Sequence, residues 1–99
     1  MESAIQKAIV AACRAAGVLV IRMNSGQIKK GRNVIHLAPK GTPDLLAISH
    51  SGRAAWIETK TPRTGGTAEQ KAVHEDLRAR GQTVMIARAV DDVLGWLGE

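Results

Sequence analysis

The sequence predicts an α/β domain whose elements follow the order α-β-β-β-β-α-β-α. Two observations lead there. Short runs rich in Val and Ile are interleaved with longer segments whose apolar residues recur at helical spacing. Ser3-Ala-Ile-Gln6 and Thr67-Ala-Glu-Gln70 have the form of capping boxes that open two of those segments, and Gly17 and Gly81 close them. With 99 residues the chain is expected to be a single domain, 1–99, with room for one core.

The first helix is expected over residues 3–16. Ile5, Ile9, Ala12, Cys13 and Ala16 form its apolar stripe, and Gln6, Lys7 and Arg14 lie opposite, as in a helix packed on one side of a sheet. Cys13 reads as a buried, inert thiol, because no His or acid stands at catalytic spacing from it. Residues 18–21 are continuously apolar and predict a strand buried on both faces, ending near Met23. Asn24-Ser25-Gly26 turns the chain. Residues 27–33 read as an exposed loop or hairpin tip, with Lys29, Lys30 and Arg32 either solvated or touching phosphate, and residues 34–37 as a short strand.

Pro39 and Pro43 bracket Lys40-Gly41-Thr42 and deliver the chain into a new strand at Asp44. His50-Ser51-Gly52-Arg53 supplies turn chemistry, and residues 54–60 return as the antiparallel neighbour. The helix opened by Thr67 places Ala68, Ala72, Val73 and Leu77 at apolar positions. Residues 83–87 form another strand, and the acidic turn Asp91-Asp92 leads a last helix expected to bury Val93, Leu94 and Leu97.

Composition narrows the class of function. Lys and Arg outnumber Asp and Glu by 14 to 9, a net charge of +5, which favours a polyanionic partner such as DNA or RNA. With Trp56 and Trp96 the only aromatics, the core must be aliphatic. A single cysteine excludes an intramolecular disulfide and fits a reducing, intracellular setting. No apolar run approaches the roughly 18 residues of a membrane span, and the Met1-Glu2-Ser3 start lacks the basic residues of a secretory signal. His36, His50 and His74 lack zinc-site spacing, and Lys29-Lys30-Gly31-Arg32 does not match a phosphate loop, so no nucleotide cofactor is expected.

The chemistry concentrates in residues 41–62. Glu58 and Lys60, two apart on a strand, must share a face, with Trp56 ahead of them. Asp44 shares its own face with Leu46 and Ile48. For Asp44 to meet Glu58 across the hairpin, Ile48 must face Ala54 and the closing loop must hold five residues, or a bulge must make up the count. An even loop would put the two acids on opposite faces. If they converge, the paired carboxylates repel unless a cation neutralises them, which asks for Mg²⁺ or Mn²⁺, while the Lys60 ammonium can position water and stabilise developing charge. Taken singly, an Asp after Pro is an ordinary turn residue and Glu-x-Lys an ordinary ion pair worth under ~1 kcal/mol. Their conjunction in a basic domain is what points to phosphodiester hydrolysis.

The motifs G-T-P-D-L-L, I-E-T-K-T-P and T-A-E-Q-K resemble the VRR-NUC family, a branch of the restriction-endonuclease-like PD-(D/E)xK nucleases. The resemblance extends from the Glu2-Ser3 start through G-R-N-V to R-G-Q-T-V-M-I-A-R-A-V-D-D-V, and it is to the compact stand-alone members of phages and bacteria. It implies a restriction-endonuclease-like core, a central mixed β-sheet flanked by helices, and Mg²⁺- or Mn²⁺-dependent hydrolysis of DNA to a 5′-phosphate and a 3′-hydroxyl. The catalytic residues it implies are Asp44, Glu58 and Lys60, with Asp44, Glu58, the Thr59 main-chain carbonyl and Glu2 as metal ligands.

Two assignments stay open in the sequence. Glu2 stands just outside the Ser3 cap and is either a ligand or a terminal acid favoured by the helix dipole. Gln70 is either an auxiliary active-site residue or simply the return arm of a capping box. Lys29, Lys30, Arg32, Lys40 and Arg63 are the candidate DNA contacts. The expected function is a structure-selective endonuclease acting as a homodimer on branched DNA such as four-way (Holliday) junctions. The alternatives are a flap or nonspecific duplex nuclease and a catalytically silent DNA-binding subunit.

Overall fold

Helix α1 (Ala4–Ala15) begins where its cap dictates, the Ser3 hydroxyl accepting from the Gln6 N–H at 3.1 Å. The computed structural model describes residues 3–23, 27–36, 38–61 and 65–99, with the backbone alone at 27–30 and 34–36. After α1 come β1 (Leu19–Arg22), β2 (Gln27–Lys30), β3 (Asn33–His36), β4 (Leu45–Ile48), β5 (Ala54–Thr59), α2 (Ala68–Ala79), β6 (Thr83–Ala87) and α3 (Asp91–Leu97). The predicted order is kept with one strand added. Residues 27–30 pair with β3 around the turn Gly31-Arg32, so the basic stretch is one arm of a separate two-stranded hairpin.

The main sheet has the order β1-β4-β5-β6 and is mixed: β4 runs antiparallel to both β1 and β5, while β5 and β6 are parallel and joined through α2. One face carries Val20, Ala47 and Ala55 in one row and Leu45 and Ile57 in the next. Against it pack Ile9, Val10 and Cys13 of α1 and Val93 and Trp96 of α3. Each fully buried aliphatic there contributes about 1.5–3 kcal/mol. No helix among the described residues is long and apolar enough to cross a membrane.

Three apolar patterns resolve differently from their prediction. β1 is an edge strand with α1 over one face only, so Val18 and Val20 are buried while Leu19 and Ile21 remain exposed. In α3 the adjacent apolar residues offer two stripes. The larger Trp96 takes the core beside Val93 and leaves Leu94 exposed, with the Arg53 guanidinium 4.9 Å from the indole centroid. In α2 the expected apolar positions give way to a polar stripe. His74 is the buried residue of that helix, Val73 and Leu77 are half-buried, and Ala68 and Ala72 are exposed. Polar contacts do the anchoring, among them Arg78 donating to the Val84 carbonyl at 3.0 Å.

Candidate active site

The β4–β5 hairpin closes with Ile48 opposite Ala54, which leaves a five-residue loop, 49–53. Leu45 faces Ile57 in this register, and one step further sets Asp44 against Glu58. The Asp44 N–H donates to Glu58 Oε2 at 3.1 Å, and the Asp44 carbonyl accepts from the Met23 N–H at 2.7 Å. The aspartate is thus tied to the strand on either side of it. The odd register that the sequence demanded is the one the hairpin adopts.

Asp44 Oδ2 accepts both the main-chain N–H of Thr59, at 2.8 Å, and its hydroxyl, at 2.6 Å. Lys60 continues the ladder, its N–H donating to the Ala87 carbonyl at 3.0 Å. Glu58 and Lys60 are only 2 % and 6 % exposed, a burial that charged groups tolerate only when partnered. Their nearest approach is 4.0 Å, too long for a hydrogen bond, and the Gln70 amide joins them instead. Gln70 Nε2 donates to Glu58 Oε1 at 2.5 Å, and Gln70 Oε1 accepts from Lys60 Nζ at 2.6 Å. The same Oε1 accepts from the Thr67 N–H at 3.1 Å, and Thr67 Oγ1 accepts from the Gln70 N–H at 3.1 Å. The two readings of Gln70 therefore hold together: the capping arm is also a member of the cluster.

Burial, and then the neighbouring Asp44 carboxylate, push the Glu58 carboxyl up to about 7, against a smaller opposing pull from Lys60. His74, one helical turn beyond Gln70, is held below the usual imidazole range by burial and by Arg78 and Lys60. Its Nε2 is buried without a hydrogen-bond partner. His74 fits no zinc spacing in the sequence, and its i, i+4 relation to Gln70 is the one signal there that sets it beside the cluster.

The donor set suits a hard divalent cation. Among the described residues no group of three or more His, Cys, Asp or Glu could hold a metal. Asp44 and Glu58 nevertheless offer oxygen donors, and the raised proton affinity of Glu58 marks uncompensated negative charge that a divalent ion would relieve. The remaining candidates are placed less centrally. Lys40 is exposed and pairs with Glu69 at 3.6 Å, and Arg32 is exposed in the β2–β3 turn. Glu2, Arg63 and the side chains of Lys29 and Lys30 lie outside the described residues.

A solved structure described as a VRR_NUC domain superposes with a TM-score of 0.70 and 29 % sequence identity, over 96 % of this chain and 91 % of its own. The chain resembles a VRR-NUC domain over nearly its whole length. No family model and no curated protein matches it. The fold is restriction-endonuclease-like. In this chain the positions carrying the motif resemblance, Asp44, Glu58 and Lys60, meet at one end of the sheet, where the start of β4 lies beside the end of β5.

Proposed function

We propose that this domain is a metal-dependent endonuclease that hydrolyses DNA phosphodiester bonds, with preference for branched duplexes such as four-way junctions. Its likeness to a VRR-NUC domain supports a nuclease domain. The observation that supports the finer reading is the buried cluster itself, in which two adjacent carboxylates and an ammonium are linked through one amide. Such a concentration of mutually repelling acid has no use in a stable core.

Bound Mg²⁺ or Mn²⁺ would polarise a phosphoryl oxygen and lower the pKa of attacking water. Asp44 and Glu58 would hold the ion, together with the Thr59 carbonyl and Glu2, which precedes the first helix in sequence. Thr59 also orients Asp44 through its N–H and hydroxyl. Lys60, directed by Gln70 Oε1, supports the negative charge that develops on phosphate. The net charge of +5 favours DNA, with Lys29, Lys30, Arg32, Lys40 and Arg63 as its backbone contacts. A homodimer would present two such sites to the two strands of a branch.

The test is to incubate purified protein with end-labelled four-way junction, flap and linear duplex in Mg²⁺, Mn²⁺ or EDTA. Metal-dependent cutting that favours the junction is expected. Equal cutting of linear duplex would remove the structural selectivity, and cutting in EDTA would remove the metal. Salt-sensitive binding of all three substrates without cleavage would identify a silent DNA-binding subunit instead.

A further inference from the structure

We propose that Thr67 is a positioning residue of this centre, and that the capping box of α2 is the device that aims Gln70. The inference rests on reading the cluster as hydrolytic. A glutamine amide can be seated either way round, and three partners here agree on one orientation. Thr67 N–H and Lys60 Nζ both donate to Oε1, at 3.1 and 2.6 Å, which leaves Nε2 to donate to Glu58 Oε1 at 2.5 Å. Of these partners, only the Thr67 N–H is main chain.

Thr67 holds its place through the helix it starts. Its backbone stands at φ −79° and ψ 164° in the extended region, and its Oγ1 accepts from the Gln70 N–H at 3.1 Å. The direction of the amide is therefore fixed independently of Glu58. When Glu58 takes another partner, Oε1 still faces Lys60. Close packing adds to this control: a Cβ on Gly41 would lie 2.6 Å from the Glu69 carbonyl oxygen and 3.1 Å from the Gln70 nitrogen. The loop that carries Asp44 thus rests directly on the turn that carries Gln70. An ordinary capping box contributes only to helix stability, about 1 kcal/mol. This one also sets where an ammonium points.

Three substitutions separate the two contributions. Thr67→Ser keeps both arms. Thr67→Ala loses the hydroxyl but keeps the N–H on Oε1. Thr67→Pro suits the observed φ yet removes the N–H as well. At a temperature where every variant is folded, Thr67→Ser should match the native protein, and Thr67→Pro should lose about 10- to 100-fold in kcat with KM for DNA changed less than about 2-fold. In metal-free protein, the Gln70 side-chain amide resonances of a ¹⁵N–¹H spectrum should be alike in native and Thr67→Ser protein and displaced in Thr67→Pro. Unchanged amide resonances in Thr67→Pro, or an unchanged kcat, would overturn the proposal. If the native protein cuts no DNA, the hydrolytic reading fails on its own, and the amide spectrum still decides whether Thr67 aims Gln70.

Discussion

Glu58 is the residue whose charge is most at odds with its surroundings. Its carboxyl moves from 4.5 when unfolded to about 7 in the fold. Folding therefore favours the protonated form, and this contribution is fully present below pH 4.5 and lost as pH rises through 7. His74 acts in the opposite sense. Its folded pKa is depressed from 6.5, so its contribution is present above pH 6.5 and lost as pH falls through the folded value. Above pH 6.5 the slope from this pair belongs to Glu58. Urea midpoints of the metal-free protein in EDTA should fall between pH 6.5 and 8.5, and Glu58→Gln should flatten that fall. A slope that survives the substitution would assign it to another group. Asp44 and Lys60 were legible as single residues from motif and strand alternation. Thr59 was visible only as a carbonyl, because a hydroxyl bonding to the neighbouring strand's aspartate leaves no pattern in sequence.

At the scale of elements, the β4–β5 hairpin was the most readable part, since side-chain period 2 turns a loop count into a statement about faces. The sequence reduces the question to an odd or an even loop, and the observed pairing of Ile48 with Ala54 answers it: five loop residues put Asp44 with Glu58. The apolar stripe of α2 misled because the helix is anchored by Gln70, His74 and Arg78, and helical periodicity registers hydrophobicity alone. Edge exposure of β1 was equally hidden, because a continuously apolar run does not reveal whether a second layer covers it. The packing of α2 on the motif loop gives a direct comparison of two glycines. Gly41 and Gly52 both have left-handed backbone, φ 94° and 87°, but a Cβ meets the Glu69 carbonyl at Gly41 and open space at Gly52. Gly52→Ala should cost about 1–2 kcal/mol in chemical denaturation. Gly41→Ala should cost more and should also slow cleavage, because it displaces the turn that holds Gln70. Equal losses at the two positions would show that α2 yields without consequence.

For the whole molecule, the order of helices and strands was readable because caps, glycine stops and β-branched runs all agree locally. The added strand β2 escaped because Gln27, Lys29 and Lys30 look like loop composition, and it is pairing with β3 that makes them a strand. Charge is a property at this scale. With a net +5, binding to a four-way junction should weaken steeply as salt rises, in a linear plot of log affinity against log salt whose slope counts the phosphate contacts. Lys40→Ala should reduce that slope by about one if Lys40 touches phosphate, and leave it unchanged if its ion pair with Glu69 is its only role.

The claim that Asp44, Glu58 and Lys60 form one metal-dependent hydrolytic centre is tested most directly by junction cleavage across a Mn²⁺ titration. Native protein, Asp44→Asn, Glu58→Gln and Lys60→Ala would be compared at temperatures where circular dichroism shows each one folded. A single centre predicts no cutting in EDTA and a loss of about 100-fold or more in each variant. Near-native cutting by any one of the three, or cleavage that ignores the metal, would contradict it.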